Sequence, residues 1–167
     1  MIYRQILAAD FDRLPTGLRV FHSTPGGGHA VGIASVSHQN KWLARLLGFP
    51  RAGEDQPMRL DVFAEESREI WTRSFGDSRR RSTQRVRAGL LVEDLGPMQI
   101  EFRVIPSRDG MQFRSHRARL LGIPVPVRVE ARVAGNDRGW EFEVTVANVG
   151  SYKGTMNPVE QTSDFRA

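Results

Sequence analysis

The chain has no cysteine among its 167 residues, which excludes disulfide bonds and thiolate chemistry alike. It also lacks any apolar run of about eighteen residues, so no spanning helix is expected. The opening stretch MIYRQILAADFDRLP carries Asp10 and Asp12 and no long apolar core, unlike a secretory signal, and a cytoplasmic protein is the expectation. Lysine is nearly missing: Lys41 and Lys153 stand against 22 arginines. Surfaces that track phosphates normally mix the two, and acidic residues break up the field in EESRE and VEDLG. The pI near 10.6 is therefore read as arginine replacing lysine through codon bias, and no specific nucleic-acid partner is expected.

Chemistry-bearing spacings are also few. The run Gly26–Gly28 lacks the Lys-Ser/Thr of a phosphate loop and leads into a strand, where no helix N-terminus is available; a flexible turn is the plain reading. The histidines His22, His29, His38 and His116 never fall at metal-ligand spacing, so neither a metal nor any other cofactor is expected. Glu65–Glu66 and Glu93–Asp94 are sequence neighbours; in a strand such neighbours point to opposite faces and cannot make an acid–base dyad.

What the chain does have is periodicity. Ile2, Tyr3, Ile6 and Leu7 recur at helical spacing, and Leu14, Leu18 and Phe21 mark a second short helix with Pro15 near its first turn. After STPGGGHA the period changes to two. Met58, Leu60 and Val62 alternate with Arg59 and Asp61; Met98, Ile100, Phe102 and Val104 with Gln99, Glu101 and Arg103; Trp140, Phe142, Val144 and Val146 with Glu141, Glu143 and Thr145. EIWTRSF sets Trp71, Arg73 and Phe75 on one face, and VRVEARV alternates likewise. Such alternation marks antiparallel strands with one wet face. Short turn signals such as GDS, LGP, SRDG and GNDRG join them. The pattern predicts a mainly β protein: an antiparallel meander of eight or nine strands, curled into a barrel or half-barrel of lipocalin-like shape. It would be one domain over 1–154, with short N-terminal helices, a helix near 41–47, and a polar tail, 155–167, expected to be disordered.

Two heptapeptides, ARLLGFP at 44–50 and ARLLGIP at 118–124, differ at one letter. The first follows Asn40, a suitable N-cap, and places Trp42, Leu43, Leu46 and Leu47 at helical intervals before Gly48. The second precedes Pro126 and reads as a strand end turning into the next strand, so the match is no structural repeat. Together with RLPTGLRVFHS and GLLVEDLGPMQIEF, these stretches resemble the uncharacterised bacterial family called domain of unknown function 4166 (DUF4166), over roughly residues 5–154. Members of that family often follow a saccharopine-dehydrogenase-like, NAD-binding domain, so the resemblance implies an oxidoreductase as a possible partner. It implies no activity or catalytic residue.

Arg79, Arg81, Arg85 and Arg87 fall on one face of an extended strand. The plain expectation is a solvated cross-strand ladder countered by Glu69, Glu93 and Glu101; the sharper alternative turns some guanidiniums inward to grasp a carboxylate or phosphate. Three functions remain open: a module enclosing a small apolar or amphipathic molecule, acidic ones included; a cofactor-free isomerase or cyclase using the same cavity; and an accessory domain docking to an oxidoreductase. The binding module ranks first. Its cavity is expected between the concave sheet and a cap formed by WLARLLGF, with Tyr3, Trp42, Leu46, Trp71, His116 and Trp140 lining it and Arg114 or Arg117 near the mouth to meet an acidic head group.

Overall fold

A computed structural model describes residues 1–159 of the chain. Three short helical segments come first: α1 (Ile2–Leu7), a 3-10 turn (Ala8–Arg13) and α2 (Thr16–Ser23). Strands β1 (His29–His38), β2 (Gly53–Ala64), β3 (Arg68–Phe75), β4 (Ser78–Arg87), β5 (Leu90–Leu95) and β6 (Met98–Ser107) follow, with α3 (Lys41–Leu46) between the first two. The chain continues through β7 (Gly110–Leu120), β8 (Ile123–Val125), β9 (Val129–Gly135), β10 (Trp140–Val146) and β11 (Gly150–Pro158).

Neighbouring strands pair antiparallel in the order β6-β5-β4-β3-β2-β1-β11-β10-β9-β7-β8, and β6 also pairs with β7. That last pairing closes a barrel of ten strands and leaves β8 outside the ring. One edge of β7 is taken up by β6 along its length; the other meets β9 over Gly110–Arg114 and β8 over Ala118–Leu120. The mainly β, antiparallel architecture is the expected one, with two more strands than the upper expectation because the turns at Leu121–Gly122 and Ala88–Gly89 are so tight. Closure answers the edge problem, since no long strand is left with unpaired backbone.

The period-two pattern decides which side faces inward. Met58, Leu60, Trp71, Phe75, Leu91, Ile100, Phe102, Met111, Trp140 and Phe142 are buried in one core. Arg59, Arg81, Arg103, Arg114, Glu130, Arg132, Glu141 and Glu143 stand on the outer face. A barrel that is charged outside and apolar inside is the inverse of one facing lipid, and no helix among the described residues is long and apolar enough to cross a membrane. The helices close one end: Gly17 N donates to Asn136 O in the β9–β10 turn, Ile2 N to Glu69 at the start of β3, and Tyr3 Oη to Gln84 near the end of β4. The buried face of the plug is Ile2, Tyr3, Leu7, Phe11, Leu14, Leu18 and Phe21. By the alternation of strand direction, α3, the β3–β4 and β5–β6 turns and the start of β11 lie at the opposite end.

One boundary differs from expectation. β11 runs to Pro158, pairing with Ala30, and buries Met156 inside the barrel; the expected boundary at 154 fell on Gly154, whose missing side chain interrupts the alternation. The remainder of the expected tail, 160–167, lies outside the described residues. The α3 helix has its expected start, with Asn40 Oδ1 accepting from Trp42 N and Leu43 N, and ends before Gly48, which has φ 64°.

Candidate functional site

The lumen holds a cavity of about 230 Å³. Its floor is where the plug meets the barrel: Tyr3, Phe21, His22, Trp71 and Trp140 line it there. The His22 ring stacks 4.0 Å from Tyr3, and Phe21 packs 4.8 Å from Trp140, centroid to centroid. Leu47, Gly48, Phe49, Pro50, Leu95 and Met98 line the other end, and Tyr152 packs against Phe49 and Phe75.

One wall is polar, and it is built by β3, β4 and β5. Antiparallel register sets Arg73 of β3 directly opposite Arg80 of β4, and both side chains line the cavity. Arg73 Nη1 donates to Glu93 Oε1 at 3.0 Å and to Ser82 Oγ at 2.9 Å, while Ser82 Oγ donates to the same carboxylate oxygen at 2.6 Å. Its guanidinium also lies 4.9 Å from the Trp71 ring centroid. Burial works against charge on Arg73, but the Glu93 carboxylate, together with Tyr152 and Tyr3, more than offsets it and the pKa is raised. Arg80 is placed differently. Its Nη2 donates to Phe49 O at 3.3 Å, its Nε is buried without a hydrogen-bond partner, and no carboxylate pairs with it among the described residues.

Burial shifts the acid–base groups at the floor. Burial lowers the His22 pKa to about 3, so the ring is neutral. Burial, aided by Glu69 and Glu93, pushes the Tyr3 phenol well above its ordinary range, so it stays protonated and donates to Gln84 Oε1 at 2.9 Å. Burial also raises the Glu69 pKa, against hydrogen bonds from Trp71 Nε1 and Ile2 N.

The residues named from sequence divide cleanly. Tyr3, Trp71 and Trp140 line the cavity together. Trp42 and Leu46 do not: they are 72% and 61% exposed, because α3 docks through Ala44 and turns its large side chains to solvent. The residues after the helix, Leu47 to Pro50, reach the mouth instead. Arg114, His116 and Arg117 stand outside the barrel. Phe113 points inward, which sends Arg114 out, and a bulge opposite Glu101–Phe102 inserts an extra residue in β7, so that Ala118 is again inward and Arg117 outward.

The arginine-rich face is the solvated ladder, with Glu101 among its acids as expected and Asp94 serving where Glu69 and Glu93 do not. Arg85 bonds Asp94, and Arg87 and Arg119 both bond Glu101. Glu93 and Glu69 point inward instead. Arg73, Arg80, Ser82, Gln84 and Glu93 were not anticipated as site residues. A signal for Arg73 was present in EIWTRSF, where a charged residue sits in phase with Trp71 and Phe75. Comparisons of the chain with protein-family models, curated proteins and solved structures find no match.

Proposed function

We propose that this chain is a binding module that encloses one small, mainly apolar molecule in the barrel lumen. The observation that carries the reading is the cavity itself: about 230 Å³ of space inside a closed, otherwise packed barrel. Protein interiors close-pack, and a void of this size forfeits dispersion contacts around its whole lining. The lining is dominated by Leu, Met, Val and aromatic side chains, with a few polar groups gathered on one wall, the usual make-up of a small-molecule pocket. An eight-stranded barrel is about the size that side chains can fill, and this ring has ten strands.

The isomerase or cyclase reading has less to draw on. A general base works best with a pKa near the working pH. His22 titrates near 3, Tyr3 far above neutrality, and the one lining carboxylate, Glu93, is bonded to Arg73 and Ser82. Docking to a partner enzyme has exposed Trp42 and Leu46 in its favour.

The test is a ligand screen read by tryptophan fluorescence in a Trp42→Phe background, where the signal comes from Trp71 and Trp140. Binders are expected to quench or shift that emission, to raise the unfolding midpoint in proportion to the logarithm of concentration, and to weaken on Trp71→Leu. A screen of small apolar and amphipathic compounds with no such response would refute the reading and leave docking in front.

A further inference from the structure

We infer that the lumen selects a singly charged carboxylate with an apolar tail, its head group held by Arg80 at the mouth with Arg73 beside it; this rests on the enclosed-ligand reading above. The register is the starting point. Arg73 and Arg80 are direct cross-strand partners on the inner face. Like charges in that relation repel, more so beside an apolar cavity than on a wet surface. Glu93 neutralises one of them, and His22 contributes no charge at neutral pH. Two cations and one anion line the cavity, an excess of one positive charge; the inward Glu69 is not among the lining side chains, and burial raises its pKa.

That excess sits on Arg80. Among the described residues its only bond is to a main-chain carbonyl, that of Phe49, and its Nε is enclosed without an acceptor. A buried donor left in that state is costly, and a planar fork of donors matches a carboxylate in both spacing and plane. The charge arithmetic favours one negative charge over two: a monoanion brings the lumen to neutrality, while a phosphate dianion would replace an excess of one sign by an excess of the other. Position agrees. Arg80 lies under the loop that lines the mouth, and a Cβ at Gly48 would stand 2.7 Å from its Nη1, so glycine there leaves the guanidinium its room. An acid entering from that end meets Arg80 first and sends its tail toward Trp71, Phe21 and Trp140. At ~30 Å³ or somewhat less per heavy atom, taking water as the guide, the cavity holds about eight to ten heavy atoms.

The experiment uses the full chain with Trp42→Phe and three probes of one tail length: octanoate, octan-1-ol and octyl phosphate. Octanoate is expected to bind about tenfold more tightly than octan-1-ol, the effect of adding charge-assisted bonds, and more tightly than octyl phosphate. Arg80→Gln should bring octanoate down to about the alcohol's affinity and lower octan-1-ol far less, with a cooperative urea melt reporting that the variant is folded. Arg80→Lys should restore part of the preference. If octan-1-ol binds wild-type protein as well as octanoate does, the head-group assignment fails and the enclosed-ligand reading stands. An octanoate preference that survives Arg80→Gln overturns the role of Arg80, preferred binding of octyl phosphate overturns the single-charge argument, and silence from all three probes overturns this inference together with the reading beneath it.

Discussion

Replacing Glu93 by alanine would strip the inner wall of the carboxylate that holds Arg73. In the native chain that group receives Arg73 Nη1 at 3.0 Å and Ser82 Oγ at 2.6 Å, and the two charged side chains are only 16% and 11% exposed. Without it, Arg73 faces Arg80 across the β3–β4 pair with no counter-charge. Removing one partner of a buried pair costs about 3–5 kcal/mol. The neighbouring cavity has room for roughly seven waters at ~30 Å³ each, which can rehydrate part of the stranded guanidinium, so about 2–3 kcal/mol is the expected loss. For a domain of this size that lowers the unfolding midpoint by on the order of 4–12 °C. Urea unfolding with an unchanged slope is the assay, because a constant slope means that stability and not the denatured state has changed. The double variant Arg73→Met/Glu93→Leu should recover most of the loss, since an apolar pair of similar volume carries no desolvation penalty. A loss below about 1 kcal/mol for Glu93→Ala, or a double variant no better than the single one, would refute the account of this wall as a buried, mutually dependent charge pair.

His22 sets an acid limit. With its folded pKa at about 3, below the ordinary value of 6.5, the unfolded chain binds the proton first as pH falls. Stability should therefore drop between about pH 6.5 and 3, at up to about 1.4 kcal/mol per unit, and the difference between wild type and His22→Gln in denaturant melts at pH 7 and pH 4 should isolate that slope from Glu69, which works in the opposite direction. Asn40→Ala should cost about 1 kcal/mol through loss of the α3 cap, whereas Leu46→Ala should change stability by less than about 0.5 kcal/mol because that side chain faces water. Trp42→Phe should shift the tryptophan emission maximum to shorter wavelength, since the two indoles that remain are 8% and 6% exposed; an unshifted spectrum would mean the lumen is wetter than its lining implies. Gly32→Ala should be among the most damaging small changes, because a Cβ there would stand 1.8 Å from Thr155 O in the paired strand; a melt within 2 °C of wild type would contradict that close approach.

Strand-level pattern carried most of the fold. Met58-Leu60-Val62 and Trp140-Phe142-Val144 needed only their own neighbours to declare an inner and an outer face. The site was harder to read for three physical reasons. A six-residue helix such as α3 buries whichever face its flanking loops allow, so the apolar stripe of Trp42 and Leu46 did not predict contact; small Ala44 did the docking. A single extra residue in β7 resets parity, and nothing in RSHRARL marks where it falls. The buried charges Arg73 and Glu93 come from strands that are not sequence neighbours, so only the register brings them together. Arg73 was visible as out of place among Trp71 and Phe75; its partner was not.

The pairing of β1 with β11 is the ring's longest-range contact in sequence, joining residues as far apart as Ala30 and Pro158. Every other pairing except β7 with β9 joins strands that follow one another in the chain. Loop-closure entropy grows with the logarithm of the separation, so this contact is the most expensive to form and belongs late in folding. The consequence falls on synthesis. A ribosome releases the plug helices first, yet α2 rests on β9 and β11, the last parts of the barrel to emerge. Through most of translation Leu18 and Phe21 have nothing to cover them. The nascent chain thus carries an adhesive plug segment for as long as its ring stays open, and yield on expression should rise with chaperone supply and with lower temperature, both of which protect an unburied apolar segment while the final strand arrives.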